Sequence, residues 1–183
     1  MSTSQNPPVQ LSRRGTALQR VFPVVMVIVV VLLALWLVLG RAVVGALGSL
    51  TALYAFALAL PIVVLHTVAA ALFRRDALNY PSHAMSLRGV FTALASWVVM
   101  ACFGFFLPDA TARGTESVLT ALTGPDMLGI SYGFANTFGV ISLALSVALV
   151  LLALTELRVT TRRLRGEALT EDEILDRAEY RGS

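Results

Sequence analysis

The sequence predicts an all-α, polytopic membrane protein with four transmembrane helices, and two observations carry that prediction. Four long apolar runs, near residues 21–39, 49–73, 88–107 and 128–155, hold no Asp, Glu, Lys or Arg in their central parts. Each reaches the roughly 20 residues that a helix rising about 1.5 Å per residue needs to cross about 30 Å of hydrocarbon. The composition also leaves too little polar surface to coat a globule in water. Hydrophobic residues make up 57% and charged residues 14%, and the mean hydropathy is +0.78.

In chain order, residues 1–15 are polar and include Pro7-Pro8, which predicts a disordered tail. Residues 16–157 form the four-helix transmembrane domain, and 158–183 a charged tail with a short helix. The first run is built of large residues such as Val24, Ile28 and Leu32, suited to the lipid-facing rim, with Trp36 as an interfacial aromatic. From Phe22 to Leu39 it is longer than a secretory leader's apolar region, which predicts an uncleaved span.

The second run carries Gly48, Ala52, Ala55, Ala59, His66 and Ala70. At 100° per residue these fall on one stripe, a surface on which another helix can approach closely. Pro61 interrupts the run, removes one backbone hydrogen bond and crowds the carbonyl of Ala57, so a kink is expected there. The third run opens at Ser82 or Ser86, either of which can cap it, and turns Gly89, Thr92, Ala93 and Ser96 to the bundle.

Between the third and fourth runs, residues 115–123 predict a short helix with Val118, Leu119 and Leu122 on its apolar side. It lies on the membrane surface or forms a lid over a cavity. Asp109 and Asp126 flank this connection and read as hydrated loop residues.

The fourth run has two faces of small residues, roughly 130° apart at 100° per residue: Gly129, Gly133 and Asn136, and then Ser131, Ala135, Gly139, Ser142 and Ser146. One bundle contact needs only one such face. The Gly133 face is therefore expected to pack in the bundle and the Ser142–Ser146 face against a second subunit; two neighbours within one bundle is the other reading.

Arg placement sets the expected orientation. Arg13, Arg14 and Arg20, then Arg74, Arg75 and Arg88, then Arg158, Arg162, Arg163 and Arg165 fall on one side, which by the retention of basic loops is cytoplasmic. Both termini then lie inside, and the protein is multi-pass in the cell membrane. The net charge of +3 describes this orientation rather than a nucleic-acid footprint. All 14 basic residues are Arg, which points to a GC-rich, bacterial genome.

Little chemistry is offered. A bis-imidazole haem needs two histidines at membrane depth, and His83 lies in a loop, leaving His66 alone. No carboxylate lies within a run, as a proton-coupled exporter would need. Cys102 is the only cysteine. No cofactor, metal site or catalytic set is predicted. Asn136 and Ser96 are the candidate partners of His66.

The four-span layout, with a basic inner loop and a charged tail, resembles small four-span membrane proteins of bacteria. The segment Gly166-Glu167-Ala168-Leu169-Thr170-Glu171-Asp172-Glu173-Ile174 resembles the short C-terminal oligomerisation helices called SHOCT, which implies self-association; a solvated amphipathic tail is the alternative. The expected function is non-enzymatic: a subunit, scaffold or modulator of a membrane assembly. Its partners would be the lipid bilayer and either further copies of the chain or another membrane protein. The alternative is a small transporter or channel-like protein with a polar site near His66 and Asn136.

Overall fold

The computed structural model describes residues 11–166, so the SHOCT-like segment beyond Gly166 and residues 1–10 of the tail lie outside it. Four helices are long and apolar enough to cross a membrane: Ala17–Val44, Thr51–Ala77, Leu87–Phe106 and Pro125–Leu164. The first and fourth each pack against both the second and the third. The core is stacked in tiers, with Phe22, Met26, Phe73, Met85 and Leu149 at one end and Leu37, Phe103 and Leu107 at the other. Val30, Ile62 and Met100 lie between them. Outside, Val24, Ile28, Leu32, Val64, Phe91 and Val98 are exposed, an apolar sheath suited to hydrocarbon.

Local signals place the helix ends. Thr16 and Gln19 form a reciprocal capping box at the start of the first helix. Ser86, rather than Ser82, caps the third, its hydroxyl accepting from the Gly89 amide at 3.1 Å. Trp36 is an anchor within the bundle. Its indole N–H donates to the Ala101 carbonyl, and a Cβ at Gly104 would fall 2.5 Å from that nitrogen, so glycine is what lets the ring in.

The second helix contains a π turn, Ala55–Ala59, immediately before Pro61. The Leu60 amide bonds to the Ala55 carbonyl five residues back, widening the coil where the proline ring would otherwise crowd its preceding turn. The extra residue shifts the helical phase. Ala59, His66 and Ala70 face inward as expected, but Ala52 is exposed and Ala55 only half-buried, which corrects the single stripe read from uniform periodicity. Gly48 precedes the helix and packs against Ala110 and Asp109.

The connection between the third and fourth helices is more structured than expected. Asp109–Thr111 and Gly114–Glu116 pair as an antiparallel hairpin, and the helix begins only at Val118, capped by Ser117. Val118 is buried, but Leu122 is 65% exposed, so its predicted apolar side is only partly used.

Candidate functional site

Among the described residues, buried polar clusters lie at mid-depth and at each end of the bundle. At mid-depth, His66 is fully buried. Its Nδ1 lies 2.9 Å from the Ile62 carbonyl, which can only accept, so Nδ1 carries the proton. Nε2, 3.1 Å from Ser96 Oγ, then accepts from that hydroxyl. Both ring nitrogens are satisfied inside the bundle. Of the two partners expected for His66, Ser96 is found and Asn136 is not: Asn136 is exposed, lines a groove with Tyr54 and Phe103, and makes no side-chain hydrogen bond among the described residues.

At the hairpin end the key groups are Asp109 and Arg41, both with fully buried side chains. This corrects the hydrated reading of Asp109. The carboxylate receives the Gly48 amide at 3.0 Å, the Leu50 amide at 2.9 Å, the Thr51 hydroxyl at 2.9 Å and its neighbour's Ala110 amide at 2.8 Å. Arg41 Nη2 stands 3.4 Å away, and the guanidinium lies over the Tyr54 ring at 4.8 Å. Burial alone would raise the Asp109 carboxyl, but the bonds from Leu50, Thr51, Gly48 and Ala110 outweigh it and hold the group below its ordinary range. Arg41 is less well served, since its Nε and Nη1 are buried without hydrogen-bond partners.

At the opposite end Asp76 is buried beside Arg13. Arg13 ion-pairs with it at 2.8 Å, donates to the Ala84 carbonyl, and lies 3.9 Å over the Tyr80 ring. The Thr160 hydroxyl donates to Asp76 at 2.6 Å, so Tyr80, 2.9 Å from Thr160, donates in turn to that oxygen. Within the segment read as a tail, Arg13 is thus held by a buried carboxylate.

The two faces of the fourth helix are the reverse of the expectation. Ser131, Ala135, Ser142 and Ser146 are buried in the bundle, with Gly139 against the Phe103 ring. At Ser131 the reason is a hydrogen bond to the Phe106 carbonyl, which only the bundle side offers; Ser146 donates to the Ser142 carbonyl of its own helix, and the Ser142 hydroxyl is buried without a hydrogen-bond partner. Gly129 and Gly133 instead face outward, with nothing within 4 Å of a Cβ built on either. Beside them a groove of about 560 Å³ runs between Tyr54, Phe103, Asn136 and Gly139.

Sequence reasoning missed Arg41, Asp109, Asp76 and Thr160. The available signal was that Arg41 and Asp109 each stand immediately beyond an apolar run, where a charge can turn inward as easily as out. Among the described residues no group of three or more His, Cys, Asp or Glu side chains is placed to hold a metal ion. No protein-family model, curated protein or solved structure matches the chain.

Proposed function

We propose that this chain is a non-catalytic, multi-pass subunit of a cell-membrane assembly, a scaffold or modulator, with both termini cytoplasmic. It joins a second copy of itself through the Gly129, Gly133 and Asn136 face of the fourth helix. The observation that carries the reading is Asn136. It lies eight residues inside the helix, about 12 Å along the axis, well within the apolar stretch. There a carboxamide that finds no partner faces hydrocarbon, at a cost that a hydrogen bond to another helix removes. Two asparagine amides are mutually complementary, so a two-fold axis through this face satisfies both at once. The open surfaces over Gly129 and Gly133 allow the backbones to approach. Orientation rests on the Arg-rich connections.

The transporter reading is the weaker of the two, since His66 is hydrogen-bonded to Ile62 and Ser96 and Asn136 is not among its partners. The test is crosslinking of single cysteines in a Cys102→Ala background in native membranes. Gly133→Cys and Asn136→Cys are expected to crosslink between copies and Ser142→Cys not. Crosslinks at Ser142→Cys alone, or none at either outward position, would overturn the assignment.

A further inference from the structure

A cavity of about 320 Å³ opens at the Arg13 end of the bundle, beside the start of the third helix. Its lining includes Arg13, Arg14, Arg88, Ser86, Leu87 and Glu156. Arg13 is committed to Asp76, but Arg14 and Arg88 are exposed and their side chains make no hydrogen bond or ion pair among the described residues. Glu156 is half-committed. One carboxylate oxygen, Oε1, accepts from the Ser86 hydroxyl at 2.6 Å, while Oε2 is buried without a hydrogen-bond partner. The cavity therefore offers the guanidinium groups of Arg14 and Arg88, the second facing the Glu156 charge without a hydrogen bond to it, and one carboxylate oxygen without a hydrogen-bond partner. That is a mixed set, suited to a ligand carrying an anion and a hydrogen-bonding cation together.

The surroundings say where such a ligand would come from. Leu87 lines the cavity at 60% exposure, and Phe91, Leu94 and Val98 continue from it along the third helix at 66%, 41% and 65% exposure. Residues spaced in this way share one helical face, so an apolar stripe leads from the charged cavity into the apolar length of the bundle. Arginine offers fixed, forked donors that match phosphate oxygens, and a carboxylate oxygen accepts from an ammonium N–H.

We propose that this cavity binds the headgroup of an aminophospholipid. Its phosphate meets Arg14 and Arg88, its primary ammonium donates to Glu156 Oε2, and an acyl chain lies along Leu87, Phe91, Leu94 and Val98. A purely anionic headgroup would leave Glu156 facing negative charge. A choline headgroup brings a cation with no N–H to donate. The discrimination therefore lies in the ammonium protons.

The experiment uses the full-length chain, delipidated in mild detergent, with lipid retention read by native mass spectrometry. The probes are phosphatidylethanolamine, phosphatidylcholine and phosphatidylglycerol of one chain composition, together with soluble glycerophosphoethanolamine. Phosphatidylethanolamine is expected to bind about tenfold more tightly than either other lipid. Glu156→Gln should reduce its advantage over phosphatidylcholine, and the double change Arg14→Gln with Arg88→Gln should weaken all three. Equal retention of phosphatidylethanolamine and phosphatidylcholine by the wild-type chain overturns the proposal, whether or not any variant folds. Preference for phosphatidylglycerol that Glu156→Gln leaves unchanged overturns it as well. Saturation by glycerophosphoethanolamine at the same concentration as the lipid would show a soluble ligand and remove the lipid from the assignment. The readout is on single chains, so its failure is distinct from failure of the pairing through Asn136.

Discussion

Each end of the bundle is fastened by one buried aspartate facing one arginine, yet the two are built differently. Asp109 takes most of its hydrogen bonds from main-chain amides, those of Gly48, Leu50 and Ala110, and adds a single hydroxyl from Thr51. Asp76 takes its own from side chains far away in sequence, Arg13 and Thr160, with Tyr80 behind Thr160. A main-chain cradle is set by the fold of a loop and is independent of side-chain identity in that loop. A side-chain network depends on each member. The first arrangement makes the carboxylate the indispensable part; the second spreads the dependence over several residues.

The largest effect should therefore come from removing Asp109. Asp109→Ala leaves Arg41 buried with no counter-charge and takes the carboxylate from the Gly48, Leu50 and Ala110 amides and the Thr51 hydroxyl. The expected loss is about 3–5 kcal/mol, read as thermal or chemical unfolding in detergent. Arg41→Met is the sharper half of the comparison. It removes a guanidinium whose Nε and Nη1 already lack partners, while the carboxylate keeps four donors. About 1–2 kcal/mol is expected, since hydrogen bonds to a charged group are the strong ones. Equal losses from the two changes would show the ion pair, not the cradle, to be the fastening. The pH dependence has a fixed sign. Because the folded Asp109 carboxyl is held below its ordinary value, its contribution is present above the unfolded value and is lost only as pH falls through the folded one. The difference between wild type and Asp109→Asn should thus be flat from about pH 8 to 5 and shrink only below about pH 4.

At the other end Thr160→Val should cost less, about 1–3 kcal/mol, because it removes one donor from Asp76 and one acceptor from Tyr80 but leaves Arg13 in place. Arg13→Gln and Thr160→Val share Asp76 as a partner, so their combined loss should differ from the sum of the single losses. Strict additivity in that double-mutant cycle would mean the cluster is a set of separate contacts, and the contrast with Asp109 would fail.

The same contrast explains what could be read from the sequence. The four helices were legible because hydrophobic length is a local property, as at Val24 to Leu33, and so was the Ser86 cap. Gly89, Ala93 and Ser96 on the inner face of the third helix followed from regular periodicity. Ala52 was misplaced because the π turn before Pro61 breaks that periodicity, and no composition signal marks the added residue. The two faces of the fourth helix were exchanged because small size alone does not say which face finds partners. Ser131 is decided by the Phe106 carbonyl, 25 residues away. Asp109 was read as hydrated because three of its four donors come from residues 48–51, about 60 residues earlier, and two of those three are main-chain amides, which carry no residue signature.

The smallest effect is expected at mid-depth, where His66 differs from both ends. It carries no ion pair, and its two bonds run to a carbonyl of its own helix and to one hydroxyl. Hydrogen bonds between membrane helices average only about 0.6 kcal/mol, because the separated helices find other partners. His66→Gln keeps a donor and an acceptor at similar reach, so its thermal stability should fall by no more than that order. Ser96→Ala removes the hydroxyl but leaves Nδ1 on Ile62, and should behave alike. His66→Leu should cost little more in hydrogen bonding, because Ser96 can turn its hydroxyl to a carbonyl one turn back on its own helix. A loss from His66→Gln approaching that of Asp109→Ala would mean that the middle of the bundle, rather than its two fastened ends, holds the helices in register.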